Sequence, residues 1–250
     1  MKVAIIAPTK NLNLFAAMSS FHLVLAHQYE LDNRYRRFYQ GRVAAGDHVI
    51  LDNSAYELQE SISAKRLLTC ALDLNPTAVF LPDARFDKEK TLKVVEESVQ
   101  LFANRGWDLL GVPQGNDLES ILECYQKLGT LGLSGIGLYE EIGEVAGMKS
   151  RYQFLQYLED HDMVYPNFYY HLLGMEENVH EVRNLRTFDW VDSIDSTKPV
   201  VYGMHEVRFW AEQELPEYPH RPEGYFEMDL ERWTSHIQHN IRQVLLWAKY

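Results

Sequence analysis

The sequence predicts an α/β protein folded as a (β/α)8 barrel of the TIM type, and three observations carry that expectation. Short apolar, β-branched runs recur along the chain, among them residues 48–52, 79–83, 110–114 and 190–195. Continuous apolar runs of this length read as parallel strands buried on both faces, and helical stretches separate them. The runs end in committed polar groups, Asp52, Asp83, Gln114 and Asp195. In parallel α/β proteins the carboxyl ends of strands are where chemistry is placed.

The elements can be justified in order. Strands are expected at residues 3–7, 22–26, 49–52, 78–81, 109–112, 135–138, 168–172 and 191–194, each followed by helix-like sequence. Ala64, Leu67, Leu68 and Ala71 form an i, i+3, i+4, i+7 stripe. Leu92, Val95, Val99 and Phe102 form another on a charged helix that Gly106 ends. Asn116 and Glu119 pair as caps opening a helix through Leu122 and Leu128. Leu230, Trp233, Ile237, Ile241, Val244 and Leu245 trace an amphipathic terminal helix. Eight strand–helix repeats predict closure into a barrel, with an open doubly wound sheet as the alternative. No low-complexity linker divides residues 1–250, so one domain is expected, with 211–250 as a C-terminal cap and helix. The irregular stretch 212–224, holding Pro216, Pro219 and Pro222, should cap one end of the barrel.

Composition narrows the function classes. A chain of 250 residues suits one large domain with a full core, and 46% apolar content is ordinary for such a domain. No apolar run approaches the roughly 18 residues of a membrane span. The N-terminal stretch is too short for a signal peptide and reads as a first strand, so a cytoplasmic protein is expected. Cys70 and Cys124 fall inside expected helices as buried free thiols, and two cysteines exclude a disulfide framework or a cysteine-based zinc site. A net charge of -12 argues against loose, sequence-independent binding to nucleic acid, so a polynucleotide partner requires a local basic rim.

In the predicted barrel Asp52, Asp83, Gln114 and Asp195 come from strands three, four, five and eight and face one mouth. An aspartate after a strand also serves as the N-cap of the next helix, which is the structural alternative for each residue singly. Two carboxylates at one mouth suit displacement at a glycosidic carbon: one attacks or stabilises the electron-poor centre and the other moves the proton. A third carboxylate beside an amide can read a purine-like edge, although sugars also fit.

Several segments resemble the queuine/archaeosine tRNA-guanine transglycosylases, and more closely their short bacteriophage relatives that act on DNA. Asp52-Asn-Ser-Ala-Tyr-Glu57 resembles the family's Asp-Ser-Gly-Gly-aromatic-Gln segment. Gly111-Val-Pro-Gln-Gly115 matches Gly-x-x-Gln-Gly, and His171-Leu-Leu-Gly174 resembles Tyr-Leu-Met-Gly. Ile194-Asp-Ser-Thr-Lys-Pro199 resembles Phe-Asp-Cys-x-x-Pro-Thr, with Asp192 also in a matching place, and Asp83 matches the aspartate after strand four. The motifs run in order from about Val49 to Pro199.

The resemblance implies a base exchange. Asp195 would be the nucleophile at C1′ of a target guanosine and Asp52 the general acid/base. Asp83 and Gln114, with Asn53 and Gly115 beside them, would read the base, and Tyr56 and Leu173 would sandwich it. The incoming base would be a 7-deazaguanine such as a 7-cyano derivative, with no redox cofactor and no ATP. Lys198, Arg208 and Arg221 would contact the polynucleotide, with Arg34, Arg36, Arg37 and Arg42 as a competing rim, although a solvated helix face is the plainer reading of that cluster. Ser196 stands for the family cysteine, and Ser54 and Ala55 for the paired glycines. The tRNA enzymes' zinc subdomain needs three cysteines and a histidine, so DNA is expected over tRNA and no metal is expected. His171, His205 and His220 read as a satisfied strand histidine and two loop histidines. An unrelated barrel hydrolase or lyase acting on a small polar substrate, and a non-catalytic partner subunit, remain as rival readings; an oligomer is compatible with any of them.

Overall fold

The computed structural model of the protein describes residues 1–175, 179–210, 214–216 and 219–249. Within the expected irregular stretch, residues 212, 213, 217 and 218 lie outside the described ones. Eight parallel strands form one sheet: β1 (Lys2–Ile5), β2 (Phe21–Leu25), β3 (His48–Asp52), β4 (Ala78–Phe80), β5 (Asp108–Gly111), β6 (Gly135–Tyr139), β7 (Tyr169–Leu173) and β8 (Ser193–Ser196). Their order is β1-β8-β7-β6-β5-β4-β3-β2, and β1 and β2 pack against each other to bring the ring nearly to closure. The protein is a (β/α)8 barrel, and every expected strand overlaps an observed one, the eighth beginning at Ser193, two residues later than expected. The register sets Ala4 beside Asp195 and Leu25 beside Asp52, which places both aspartates at carboxyl ends of strands.

Helices wrap the ring: α1 (Ala26–Leu31), α2 (Asn33–Ala44), α3 (Ala55–Leu58), α4 (Ala64–Leu74), α5 (Lys88–Phe102), α6 (Leu118–Leu128), α7 (Ile142–Val145), α8 (Arg151–Asp160), α9 (Glu181–Leu185), α10 (Lys198–Met204) and α11 (Thr234–Lys249). The predicted stripes face inward, with Leu67 and Ala71 of α4 and Val95 and Phe102 of α5 buried. Both cysteines are buried and free, in α4 and α6. Burial pushes their thiols up, Cys70 to about 12 and Cys124 to about 11, so neither is a ready nucleophile.

Four local expectations need correction. The cap of α6 is Asp117 with Ser120, each side chain bonding the other's backbone N–H, rather than Asn116 with Glu119. Helix α5 stops at Phe102, short of Gly106, and the chain turns through Asn104 and Gly106 at positive φ. After β1 there is no α-helix, only 3-10 turns at Thr9–Asn11 and Ala16–Met18. The C-terminal segment covers that gap. Asn11 Oδ1 accepts the Leu230 N–H at 2.9 Å, Tyr225 donates to the Ile6 carbonyl at 2.8 Å, and α11 packs on β1. Leu230 and Trp233 therefore lie in the approach to α11 rather than in it.

Arg151, at the start of α8, is fully buried. Its guanidinium donates to the carbonyls of Leu138, Leu173 and Gly174 at 3.1, 3.0 and 3.0 Å, and to Glu181 Oε1 at 2.9 Å. One side chain thus ties the carboxyl ends of β6 and β7 and the loop beyond β7 to α9. Removing it would leave a buried carboxylate and several carbonyls without that donor, a loss of about 3–5 kcal/mol. Arg151→Ala is therefore expected to lower the unfolding free energy by several kcal/mol in urea titration, and Arg151→Lys to recover only part of it, because an ammonium cannot span this set of acceptors.

Candidate functional site

The carboxyl ends of β3, β4, β5 and β8 deliver buried polar side chains to one mouth: Asp52, Asn53, Asp83, Gln114 and Asp195 are each at most 8% exposed. Asp83 is the hub of the first group. Its Oδ1 accepts from Asn53 Nδ2 at 2.7 Å and its Oδ2 from Gln114 Nε2 at 2.6 Å. Gln114 Oε1 in turn accepts the Phe86 N–H at 3.0 Å, which fixes which end of the amide faces Asp83. Burial pushes the Asp83 carboxyl up to about 6, against the pull of its two amide donors. Gly115 permits the close turn after β5, since a Cβ there would meet Ser120 and the Ile121 nitrogen.

Asp52 closes β3. Its Oδ2 accepts the Ser54 N–H at 2.7 Å, and Ser54 holds a left-handed φ of 65°. Burial is the main cause that raises its carboxyl well above the usual range, and the negative charges of Glu57, Asp195 and Asp83 add to it. Glu57 is itself pushed up by burial, while an ion pair with Arg221 at 3.2 Å pulls the other way. Asp195 differs. Its Oδ1 accepts the Gly174 N–H at 3.0 Å and lies 3.2 Å from His171 Nε2. Gly174 has φ +72°, and a Cβ on it would come within 2.8 Å of Glu140 Oε2, so both conformation and space favour glycine.

Other expected residues fall in varied places. Tyr56, on α3, is 51% exposed, with the Arg85 guanidinium over its ring, and Leu173, half-buried, ends β7. Lys198 is buried just beyond β8, and its charge acts on Glu140. Arg221 is committed to Glu57, whereas exposed Arg208 donates to Ser235 at the start of α11. Asp192 lies at the opposite end of the barrel, where its carboxylate accepts the Tyr170 N–H and its carbonyl the Lys2 N–H. The arginines of α2 have partners within the protein at three of the four positions. They are strung along a helix, Arg34 on the Lys10 carbonyl, Arg36 on those of Tyr29 and Glu30, and Arg42 on Asp47. His171 is fully buried and bonded, while His205 and His220 are exposed. Among the described residues no group of His, Cys, Asp or Glu is placed to hold a metal ion, and no helix is long and apolar enough to cross a membrane.

Sequence reasoning missed Glu140 and His27. Glu140 follows β6 as the other carboxylates follow their strands, so its position was a usable signal; burial is the main cause that raises its carboxyl to about 7. His27 opens α1 beside the mouth, donates its backbone N–H to Ser54 Oγ at 3.2 Å, and is held neutral by burial and by the charge of Arg221. No family model matches this chain, and no curated protein matches it in sequence.

A buried carboxyl that gains protons on folding makes stability depend on pH. Asp83 rises from its usual 3.8 to about 6, so the folded state binds the extra proton between those values. Its stabilising contribution is present below about pH 4 and is lost as pH rises through about 6, at about 1.4 kcal/mol for each pH unit in that window. The unfolding free energy of Asp83→Asn relative to wild type is therefore expected to shift in the variant's favour by about 2–3 kcal/mol from pH 4 to pH 7 in urea titrations.

Proposed function

We propose that the protein is a pentosyltransferase that exchanges guanine in a polynucleotide, DNA in preference to tRNA, for a 7-deazaguanine. The observation that carries this reading is the pairing of two unlike carboxyls at one mouth. Asp52 is held towards its acid form by burial, while Asp195 takes the Gly174 N–H on one oxygen and leaves the other without a donor among the described residues. That division suits an acid that protonates a departing base and a nucleophile that takes its place on the sugar. The Asp83–Asn53–Gln114 network lies in the same ring of strand ends, with acceptor and donor groups suited to a guanine-like edge. Ser54 adds support: it is left-handed at the position where the resembled transglycosylases carry glycine.

The chemistry proceeds in two displacements. A lone pair on the Asp195 carboxylate forms a bond to C1′ as the C1′–N9 bond breaks, and the pair left on N9 takes the Asp52 proton. The incoming base then gives its N9 proton to Asp52 and forms the new C1′–N9 bond as the aspartyl–sugar bond breaks. No oxidant, reductant or nucleotide triphosphate enters this balance. A base in an intact duplex cannot reach a nucleophile recessed in a barrel mouth, so the substrate is single-stranded or its target base is flipped out. Lys198 inside the mouth and Arg221 at its edge would meet the backbone; with the net charge of -12, backbone affinity should be modest and strongly weakened by salt.

A second reading is favoured by how the cations described at the mouth are engaged: Lys198 is buried, Arg221 is paired with Glu57 and Arg85 with Glu141. It is a barrel hydrolase or lyase acting on a small polar substrate. Nucleoside mass spectrometry of DNA and tRNA from cells expressing the protein separates the two. Deazaguanine nucleosides in DNA support the proposal, the same nucleosides in tRNA alone would move it to that polymer, and unmodified nucleic acid in both would favour the small-substrate reading.

Two variants follow from the roles. Asp195→Ala is expected to abolish incorporation of labelled guanine into oligonucleotides, by several orders of magnitude, without loss of the fold. Asp83→Asn is expected to weaken guanine binding by about 1–3 kcal/mol per lost contact in calorimetry, because a carboxylate acceptor becomes a mixed donor. Wild-type exchange by the first variant or wild-type affinity in the second would remove the corresponding role.

A further inference from the structure

A line of hydrogen bonds runs up the inside of the barrel to Asp195. The Tyr169 hydroxyl donates to Ser193 Oγ at 2.8 Å, Ser193 Oγ lies 2.7 Å from His171 Nδ1, and His171 Nε2 lies 3.2 Å from Asp195 Oδ1. Ser193 and His171 are fully buried. The rings of Phe21 and Phe80 pack against the imidazole, at 5.9 and 5.7 Å between centroids, which fixes its plane. Burial raises the Tyr169 phenol, so it keeps its proton as a donor.

The tautomer of the imidazole follows from which partner takes the Ser193 hydroxyl hydrogen. Ser193 Oγ accepts from Tyr169 and keeps its own O–H as a donor, 2.7 Å from His171 Nδ1. An Nδ1 that accepts leaves the proton of a neutral ring on Nε2, the nitrogen that faces Asp195. Gly174 N–H and His171 Nε2 then meet on the same carboxylate oxygen, Oδ1. No described residue donates to Oδ2, and the Asp195 side chain retains 11% exposure.

We propose that His171 is a positioning residue for Asp195, an imidazole whose Nε2–H joins the Gly174 N–H in holding Oδ1 and leaves Oδ2 as the oxygen that attacks the sugar. This inference rests on the transglycosylase reading and deepens it. In the covalent intermediate Oδ2 is the bridging ester oxygen and Oδ1 the carbonyl. When the incoming base attacks C1′, the electron pair of the breaking C1′–Oδ2 bond returns to the carboxylate and spreads onto Oδ1, where the two N–H donors receive it. Hydrogen bonds to a carboxylate are stronger than those to a neutral ester carbonyl, so the pair of donors favours departure of the aspartate. The transition state for formation keeps most of the carboxylate charge, so formation gains little from the same donors. His171 thus acts on the second displacement, and Ser193 and Tyr169 act through it by fixing its tautomer.

The test is a single-turnover measurement with a guanine-containing single-stranded oligonucleotide, following formation of the covalent adduct and its resolution by added free guanine. His171→Phe is expected to slow resolution roughly 10–100-fold while formation changes little, so that adduct accumulates. His171→Gln, whose amide N–H can stand where Nε2–H stood, is expected to restore much of the resolution rate. A merely structural role would slow both steps together or reduce the folded fraction, and a wild-type partition in His171→Phe would overturn the proposal. Nitrogen-15 NMR of the wild-type protein reads the arrangement without any turnover: Nε2 protonated and Nδ1 bare supports it, the reverse overturns it. Absence of any adduct in wild type together with a protonated Nε2 would refute the transglycosylase reading and the kinetic role with it, and leave only the hydrogen-bond arrangement established.

Discussion

The buried guanidinium of Arg151 is the contact on which the arrangement of the mouth depends. It gathers carbonyls from the ends of β6 and β7 and from Gly174 onto one planar group, and Glu181 balances its charge. Gly174 is thereby fixed with its N–H on Asp195, so a side chain outside the ring of strands determines where a carboxylate inside it points. Parallel strands end in unsatisfied backbone groups at the rim. An arginine with its full set of donors satisfies several of them at once, where a lysine would satisfy fewer.

The mouth also concentrates acids that burial and mutual repulsion resist ionising. Asp52, Glu57, Asp83 and Glu140 are all raised by burial first, with neighbouring carboxylates adding to it at Asp52, Glu57 and Glu140. Arg221 offsets part of this at Glu57 and Lys198 part of it at Glu140. Two residues there, Ser54 and Phe86, hold positive φ values of 65° and 61° without being glycine. Strain of that kind costs about 1–3 kcal/mol per residue and persists where surrounding bonds over-determine it. Here the Ser54 N–H is needed by Asp52 and the Phe86 N–H by Gln114. Stability given up at these positions places the acid and orients the amide.

The eight strands were legible because a buried parallel strand leaves an unbroken apolar run, and each ran where expected. The polar ends were legible for the same reason: Asp52, Asp83, Gln114 and Asp195 each interrupt or follow such a run. Asp192 lies only three residues before Asp195 and yet belongs to the opposite end of the barrel, because a short strand carries its two ends close together in sequence. Arg151 gave no signal, since a lone arginine opening a helix is ordinary on a surface and only tertiary packing buries it. The arginines of α2 read as a cluster in sequence, yet residues 34 to 42 on a helix are spread over about 12 Å of its length, and Arg34, Arg36 and Arg42 take separate partners. His171 was expected as a satisfied strand histidine, and it is satisfied; what the sequence could not give was that one of its partners is Asp195.

The central claim is that Asp195 forms a covalent bond to a sugar from which guanine has departed. Intact-mass spectrometry of the purified protein, incubated with a guanine-containing single-stranded DNA oligonucleotide and no incoming base, tests it most directly. The account predicts a protein–DNA adduct equal in mass to protein plus oligonucleotide minus guanine, mapped by proteolysis to the peptide holding Asp195 and absent in Asp195→Ala. An unmodified protein mass under conditions where the protein alters the oligonucleotide, or an adduct that maps elsewhere, would contradict it.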